Sequence, residues 1–203
     1  MAEIPKYLFE LFRNNRSYRK FLQHPVPDQE LLKQLVEMTR FAASSKNIQP
    51  LKYLLISSSK ADLDFTFKQL KWAWYLKNWE GPEPEERPTA YVIVLLDKNL
   101  NDNAEFDAGI VAQTILLGAT AAGFGGCIIR TVNRYALARY FDLDKTLEIM
   151  MVIALGKPNQ LVEVEDLKAN RSIAYYTDES GNHIVPKRVL EDIIWSKKKK
   201  NHD

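Results

Sequence analysis

Cysteine is almost missing from this chain of 203 residues: Cys127 is the only one. An intramolecular disulfide is therefore excluded, and a reducing compartment is the expected setting. Histidine is equally sparse. His24, His183 and His202 are scattered, with no pair at metal-ligand spacing, and carboxylates alone do not make a convincing cage, so no metal is expected. No stretch reaches the ~18 continuous apolar residues of a membrane span, and residues 1–6 contain no apolar signal core. A cytoplasmic protein without a membrane partner is expected. Charge of one sign is lacking too. The formal net charge is +2, and the dense lysine run at 197–200 lies at the C-terminus, where residues 197–203 read as a frayed solvated tail rather than a nucleic-acid patch.

The signatures of hydrolytic and nucleotide chemistry are also absent. There is no Gly-x-Ser-x-Gly elbow and no P-loop, and Cys127 has no histidine beside it in sequence to activate it. A buried, inert thiol is the expected state. Gly123-Phe124-Gly125-Gly126 suggests a dinucleotide fingerprint, but the third glycine is missing and a helix precedes the segment. Gly123 better fits the left-handed position that ends a helix. With these motifs gone, the remaining polar clusters point to a bound cofactor that brings its own chemistry.

What is present is an ordinary folded body, 46% apolar and 27% charged, read as one domain over residues 1–203 with no internal repeat or dividing linker. Helical spacing covers 5–14 and 28–42, the second starting at Asp28 as N-cap. Residues 53–56, 90–96 and 149–155 read as buried strands, the last ended by Gly156-Lys157-Pro158, and 125–129 as a fourth. Helical character returns at Lys60, and Trp72, Tyr75, Leu76 and Trp79 at i, i+3, i+4 and i+7 predict an aromatic helix face, used in core packing or as a pocket wall. The proline-rich acidic stretch 81–88 predicts a surface crossing. The segment 104–122 predicts a helix apolar or small on almost every side, hence buried in a monomer core or a dimer seam. Shorter helices are expected over 133–141 and 188–195, the latter begun by Pro186, and a short strand over 173–176.

Two polar segments flank the helix at 28–42. Arg16-Ser17-Tyr18-Arg19 offers two fork-shaped cations and a hydroxyl. Ser44-Ser45-Lys46-Asn47-Ile48-Gln49-Pro50 offers small polar side chains before a proline that enforces an extended exit. Alone, the first reads as a solvated helix edge; together they suggest a bound anion.

The order Arg16-Ser17-x-Arg19-x-Phe21, Ser44-Ser45-x-Asn47-x-Gln49-Pro50, Asp107-Ala108-Gly109, Gly125-Gly126-Cys127 and Ala154-Leu155-Gly156-Lys157-Pro158 resembles the FMN-dependent nitroreductase family across most of the chain. The resemblance implies an α+β fold, a mixed, mostly antiparallel sheet flanked by helices, in an intertwined homodimer with FMN at the subunit interface. By the same resemblance Arg16 meets the phosphate, Ser17 the ribityl chain and Arg19 the N1 and O2 edge of the isoalloxazine, while Ser44, Ser45 and Asn47 approach from the other subunit with Gln49 supporting them. Cys127, Ile128, Ile129 and Arg130 match the stretch alongside the flavin ring, and Lys187 and Arg188 match a basic pair at the phosphate.

Two positions depart from the family pattern. Asn15 stands where a further arginine is common, and Arg130 where many members carry an acid, so that Arg130 either faces the pocket, favouring anionic substrates or the 2′-phosphate of NADPH, or points into solvent. The implied activity is an FMN-dependent NAD(P)H oxidoreductase that reduces flat acceptors such as nitroaromatics or quinones by a ping-pong mechanism. No side chain is assigned acid-base catalysis, because hydride passes through FMN N5. The alternatives are a specialised flavoenzyme of the same fold (dehalogenase, dehydrogenase or flavin-fragmenting) and a non-catalytic flavin-binding protein.

Overall fold

The computed structural model describes residues 3–76, 79–169 and 171–195; the tail expected to fray lies outside them. The chain divides into two compact units, Met1–Trp74 with Asn78–Gln160, and Tyr75–Lys77 with Leu161–Asp203.

The first unit is organised by one antiparallel sheet. β3 (Ala90–Asp97) has every residue buried, as the unbroken apolar run over 90–96 requires. It pairs on one side with β2 (Leu51–Ile56) and on the other with β5 (Leu147–Pro158). The far edge of β5 carries β4 (Gly125–Ile129) from Val152 to Gly156 and then β1 (Phe21–Leu22) at Lys157 and Pro158. Gly156-Lys157-Pro158 therefore extends the strand instead of ending it, because two partners take up its edge in succession.

The period-two alternation of β3 separates two cores. Ala90, Val92 and Val94 face α2 (Gln29–Thr39) and α4 (Glu105–Ala121), with Leu32, Leu35, Ala112, Ile115 and Ala119 completing that layer. Tyr91, Ile93 and Leu95 face the other way, against residues of α3 (Lys60–Lys68) and α5 (Arg134–Tyr140), with Trp72 buried and Leu137 fully enclosed. Each aliphatic side chain removed from water in these layers contributes roughly 1.5–3 kcal/mol before entropy is counted.

Helix ends follow local chemistry. Asp28 accepts a hydrogen bond from the Leu31 N–H at 2.8 Å, and Asn133 accepts one from the Ala136 N–H at 3.2 Å. Asp28→Ala is expected to cost about 1 kcal/mol in a urea unfolding curve. At the end of α4, Gly123 has φ +78°, the Phe124 N–H donates to Ala119 O (2.8 Å) and the Gly123 N–H to Thr120 O (3.0 Å), the paired bonds of a Schellman terminus.

Among the described residues the aromatic helix expected through Trp79 does not form. α3 stops at Lys68, Leu70 bridges Val132, and the Lys71 N–H donates to Thr131 O at 3.0 Å, so tertiary pairing takes the backbone groups a helix would have used. Trp72 is buried against Phe67 and Trp79, whereas Trp74 is 88% exposed. In the second unit, β6 (Val162–Asp166) runs parallel to β8 (His183–Lys187), and β7 (Tyr176–Thr177) lies antiparallel to β8. Pro186 thus belongs to a strand rather than starting a helix, and only Leu190–Ile193 is helical (α6). The strand expected at 173–176 begins at Tyr176.

Candidate functional site

The first polar segment is shaped by the end of α1 (Lys6–Asn14). Arg16 folds back on that terminus, its Nε donating to Asn15 O (2.7 Å) and its Nη2 to Phe12 O (3.1 Å), so that carbonyls without helical partners orient the guanidinium. Beyond it the chain joins the sheet. Ser17 forms a parallel bridge with Gly126, and the Tyr18 N–H donates to Gly126 O at 3.0 Å. The Arg19 N–H donates to Gln160 Oε1 (3.1 Å), while its Nη1 donates to Ser17 O (3.3 Å).

This contact brings Arg16, Ser17 and Arg19 beside the start of β4, a proximity of segments over 100 positions apart. Gly126 makes it feasible. A Cβ there would sit 2.1 Å from Ala154 O and 2.8 Å from Leu155 Cδ2, so any side chain would force the β4 and β5 backbones apart.

Along β4 the side chains alternate. Cys127 and Ile129 are buried in the core behind the sheet, so only their backbones remain for a ligand, whereas Ile128 is 41% exposed. Burial pushes the Cys127 thiol up to about 12, with the Arg19 cation opposing it weakly. The thiol stays protonated at neutral pH and is not a nucleophile. Native protein is expected to resist iodoacetamide at neutral pH and to take up one equivalent when unfolded, as mass spectrometry would read.

Arg130 follows the strand and pairs with Glu105 at 3.1 Å, both ends largely solvent-exposed. Its carbonyl accepts from Arg134 Nη2 (3.2 Å), and the same guanidinium reaches Ile149 O (2.8 Å) and Met150 O (3.3 Å) at a bulge in β5. Arg134 thus fixes the backbone after β4, a role no local motif announces.

The second segment forms its own cluster. Ser44 Oγ donates to Asp107 Oδ2 (2.5 Å), the Ser45 N–H donates to Asp107 Oδ1 (3.2 Å), and Ser44 Oγ accepts the Gln49 N–H (2.9 Å). Gln49 Nε2 donates to both Asn47 O and Asn47 Oδ1 at 3.1 Å. Lys46, Asn47 and Gln49 all have positive φ, 52°, 57° and 53°. Non-glycine residues held there carry strain of order 1–3 kcal/mol each and persist only where surroundings hold them; here the buried Asp107 is the anchor. A cavity of about 220 Å³ opens beside the loop, lined by Arg40, Ser44, Asn47, Gln49, Tyr53 and Asp107 among others, and by none of residues 16–19 or 125–130. The two polar segments are therefore built separately within one chain. Asp107 was visible in the sequence as part of the Asp107-Ala108-Gly109 motif, but not as the partner of Ser44 and Ser45. Lys187 ends β8 and Arg188 follows it, both exposed, in the second unit.

The donor set suits an anionic planar group: two guanidinia and an exposed hydroxyl beside the bare backbone of β4. An α+β protein with an antiparallel sheet between helices and such donors at the sheet edge is the class this defines. The nitroreductase family model matches residues 12–157, and the chain belongs to that family. Among solved structures of the same fold are a nitroreductase family protein from Streptococcus pneumoniae TIGR4 (TM-score 0.65, 15% identity, covering 94% of this chain and 100% of that one) and an FMN-dependent nitroreductase from Clostridium difficile R20291 (TM-score 0.61, 19% identity, 81% and 92%). A third, a candidate NADH dehydrogenase/NAD(P)H nitroreductase from Bacteroides thetaiotaomicron, has TM-score 0.64 at 21% identity, covering 83% and 95%. Among the described residues no helix is long and apolar enough to cross a membrane.

Proposed function

We propose that this protein is an FMN-dependent NAD(P)H oxidoreductase that reduces flat electrophiles such as nitroaromatics or quinones. The observation that carries the reading is the Ser17–Gly126 bridge, which places the Arg16, Ser17 and Arg19 donors against the strand whose backbone leads to Ile129 and Arg130. Bound FMN would supply hydride acceptance and donation in two half-reactions. The chain's own contribution is binding and charge. Arg16, preset by the α1 carbonyls, holds the phosphate, Ser17 the ribityl chain, and Arg19 stabilises negative charge at the N1 and O2 edge. Lys187 and Arg188 add cations for the phosphate. No acid-base side chain is required, in keeping with the inert Cys127.

The active form in this reading is a homodimer, with Ser44, Ser45, Asn47 and Gln49 serving the partner's cofactor. Its support is a face of α4 left uncovered in one chain: Phe106 is 88% exposed and Ile110 43%, and a Cβ added at Gly109 between them would meet nothing within 4 Å. The helix expected to be buried on several sides has this one open stripe, an apolar seam that a symmetric copy can cover. Gly109→Arg is expected to shift the species in sedimentation velocity from dimer to monomer. Turnover of NADH or NADPH with a quinone acceptor tests the activity; absence of turnover with either donor in flavin-loaded protein would contradict it.

A further inference from the structure

After Ile129 the chain leaves β4 through a joint. Ile129 is still in the ladder, opposite Val152, while the next segment is tied elsewhere, with the Lys71 N–H donating to Thr131 O (3.0 Å) and the Asn133 N–H to Gln69 O (2.9 Å). Arg130 lies between these two ties. Its carbonyl is held by a side chain, Arg134 Nη2 at 3.2 Å, and the same guanidinium donates to Ile149 O (2.8 Å) and Met150 O (3.3 Å). Ile149 and Met150 sit where the β3–β5 register shifts, so the anchor of this clamp is strand backbone rather than another mobile side chain.

The ladder's alternation says what the joint presents. In an antiparallel pair, successive residues point their N–H and C=O by turns at the partner strand and away from it. Leu155 O accepts from the Thr89 N–H (3.0 Å), on the β3 side, so Gly126, opposite Leu155, points away from β5, and its carbonyl accordingly takes the Tyr18 N–H. Ile128 repeats that orientation two residues on. The next outward place falls at Arg130, where the ladder has ended and the Arg134 clamp takes over the holding of the backbone. The Ser17–Gly126 bridge lies on this same edge, so an outward Arg130 N–H shares it with the segment that carries Arg16, Ser17 and Arg19.

We propose that Arg134 is a positioning residue for the flavin: by clamping the Arg130 carbonyl to the β5 bulge it keeps the Arg130 N–H on the open edge of β4 as a fixed donor to the flavin ring. The inference rests on the reading of the protein as an FMN-dependent reductase. A side chain that only capped β5 would need its bonds to Ile149 and Met150; the third, to Arg130, is the one that reaches the site. A donor fixed in advance costs no reorganisation when charge shifts on the group it serves.

The test uses the full chain, FMN-free and FMN-loaded, as wild type, Arg134→Gln and Arg134→Lys, with Asp28→Ala as a control destabilised at a remote helix cap. In FMN-free wild type the Arg130 amide should have the order parameter of a rigid strand, about 0.85 by nitrogen-15 relaxation, and in Arg134→Gln it should fall below about 0.6 while the Cys127 amide stays rigid. In loaded Arg134→Gln the visible flavin bands should shift and the rate of flavin reduction by NADH or NADPH should drop about tenfold, with the KM for the donor unchanged. Arg134→Lys keeps the charge but not the fork, so it should fall between the two, and it carries the test if Arg134→Gln does not fold. Asp28→Ala should change none of these readouts. Wild-type order and bands in Arg134→Gln, full wild-type behaviour in Arg134→Lys, or the same changes in Asp28→Ala would each overturn the positioning role while leaving the functional reading intact. Wild type that takes up no FMN would overturn both.

Discussion

Gly126→Ala is expected to destabilise the protein by about 3 kcal/mol and to leave it unable to retain FMN. The added Cβ would meet a backbone oxygen, Ala154 O at 2.1 Å, inside the β4–β5 ladder, with Leu155 and Leu116 closing the remaining directions. No rotamer change relieves such a clash, so the two strands must separate. Separation also removes the Gly126 O that accepts from the Tyr18 N–H, and with it the register of Arg16, Ser17 and Arg19 beside the strand. Urea unfolding should show a lower midpoint at an unchanged slope. Stability and flavin retention equal to wild type would mean that the Ser17–Gly126 bridge does not position the site.

Arg16→Ala is the second large effect, and it acts on binding more than on folding. A charge-assisted hydrogen bond to phosphate contributes about 1.5–3 kcal/mol, so the FMN dissociation constant should rise roughly 10- to 150-fold in a fluorescence titration. Because Nε and Nη2 are already committed to the carbonyls of Asn15 and Phe12, the guanidinium would meet a phosphate, as proposed, with little ordering left to do. Arg16→Lys keeps the charge but cannot span both carbonyls, and its affinity should fall between those of Ala and wild type. Asn15 sharpens this dependence. It supplies no cation of its own, so in the proposed reading Arg16 would carry the near side of the phosphate. A loss below threefold in Arg16→Ala would shift that role to Lys187 and Arg188.

The parts of the fold governed by local chemistry were legible from the residues. Asp28 caps its helix, Gly123 ends α4, and the unbroken apolar run at 90–96 makes the central strand. Where distant segments compete for the same backbone groups, the local pattern misleads. The aromatic spacing from Trp72 to Trp79 fits a helix, yet Leu70 and Lys71 are claimed by Val132 and Thr131 across the fold. Gly156-Lys157-Pro158 has the composition of a terminator, yet Gly156 is needed there because the Phe21 ring would lie 2.8 Å from any Cβ. For the candidate site, residue types and motif order identified both polar segments. Their supports were not readable, since Asp107 acts on Ser44 across 63 positions and Arg134 acts on carbonyls of Ile149 and Met150. The open stripe at Phe106 and Ile110 was likewise hidden, because composition distinguishes an apolar helix but not which of its faces the chain itself covers.

The most direct test of the account is an anaerobic absorption spectrum of the purified, FMN-loaded chain before and after NADH or NADPH is added. The account predicts flavin bands in the visible blue that bleach on addition of one or both donors and return when a quinone is admitted. Protein that stays colourless after incubation with FMN, or bands that persist with both donors, would contradict it.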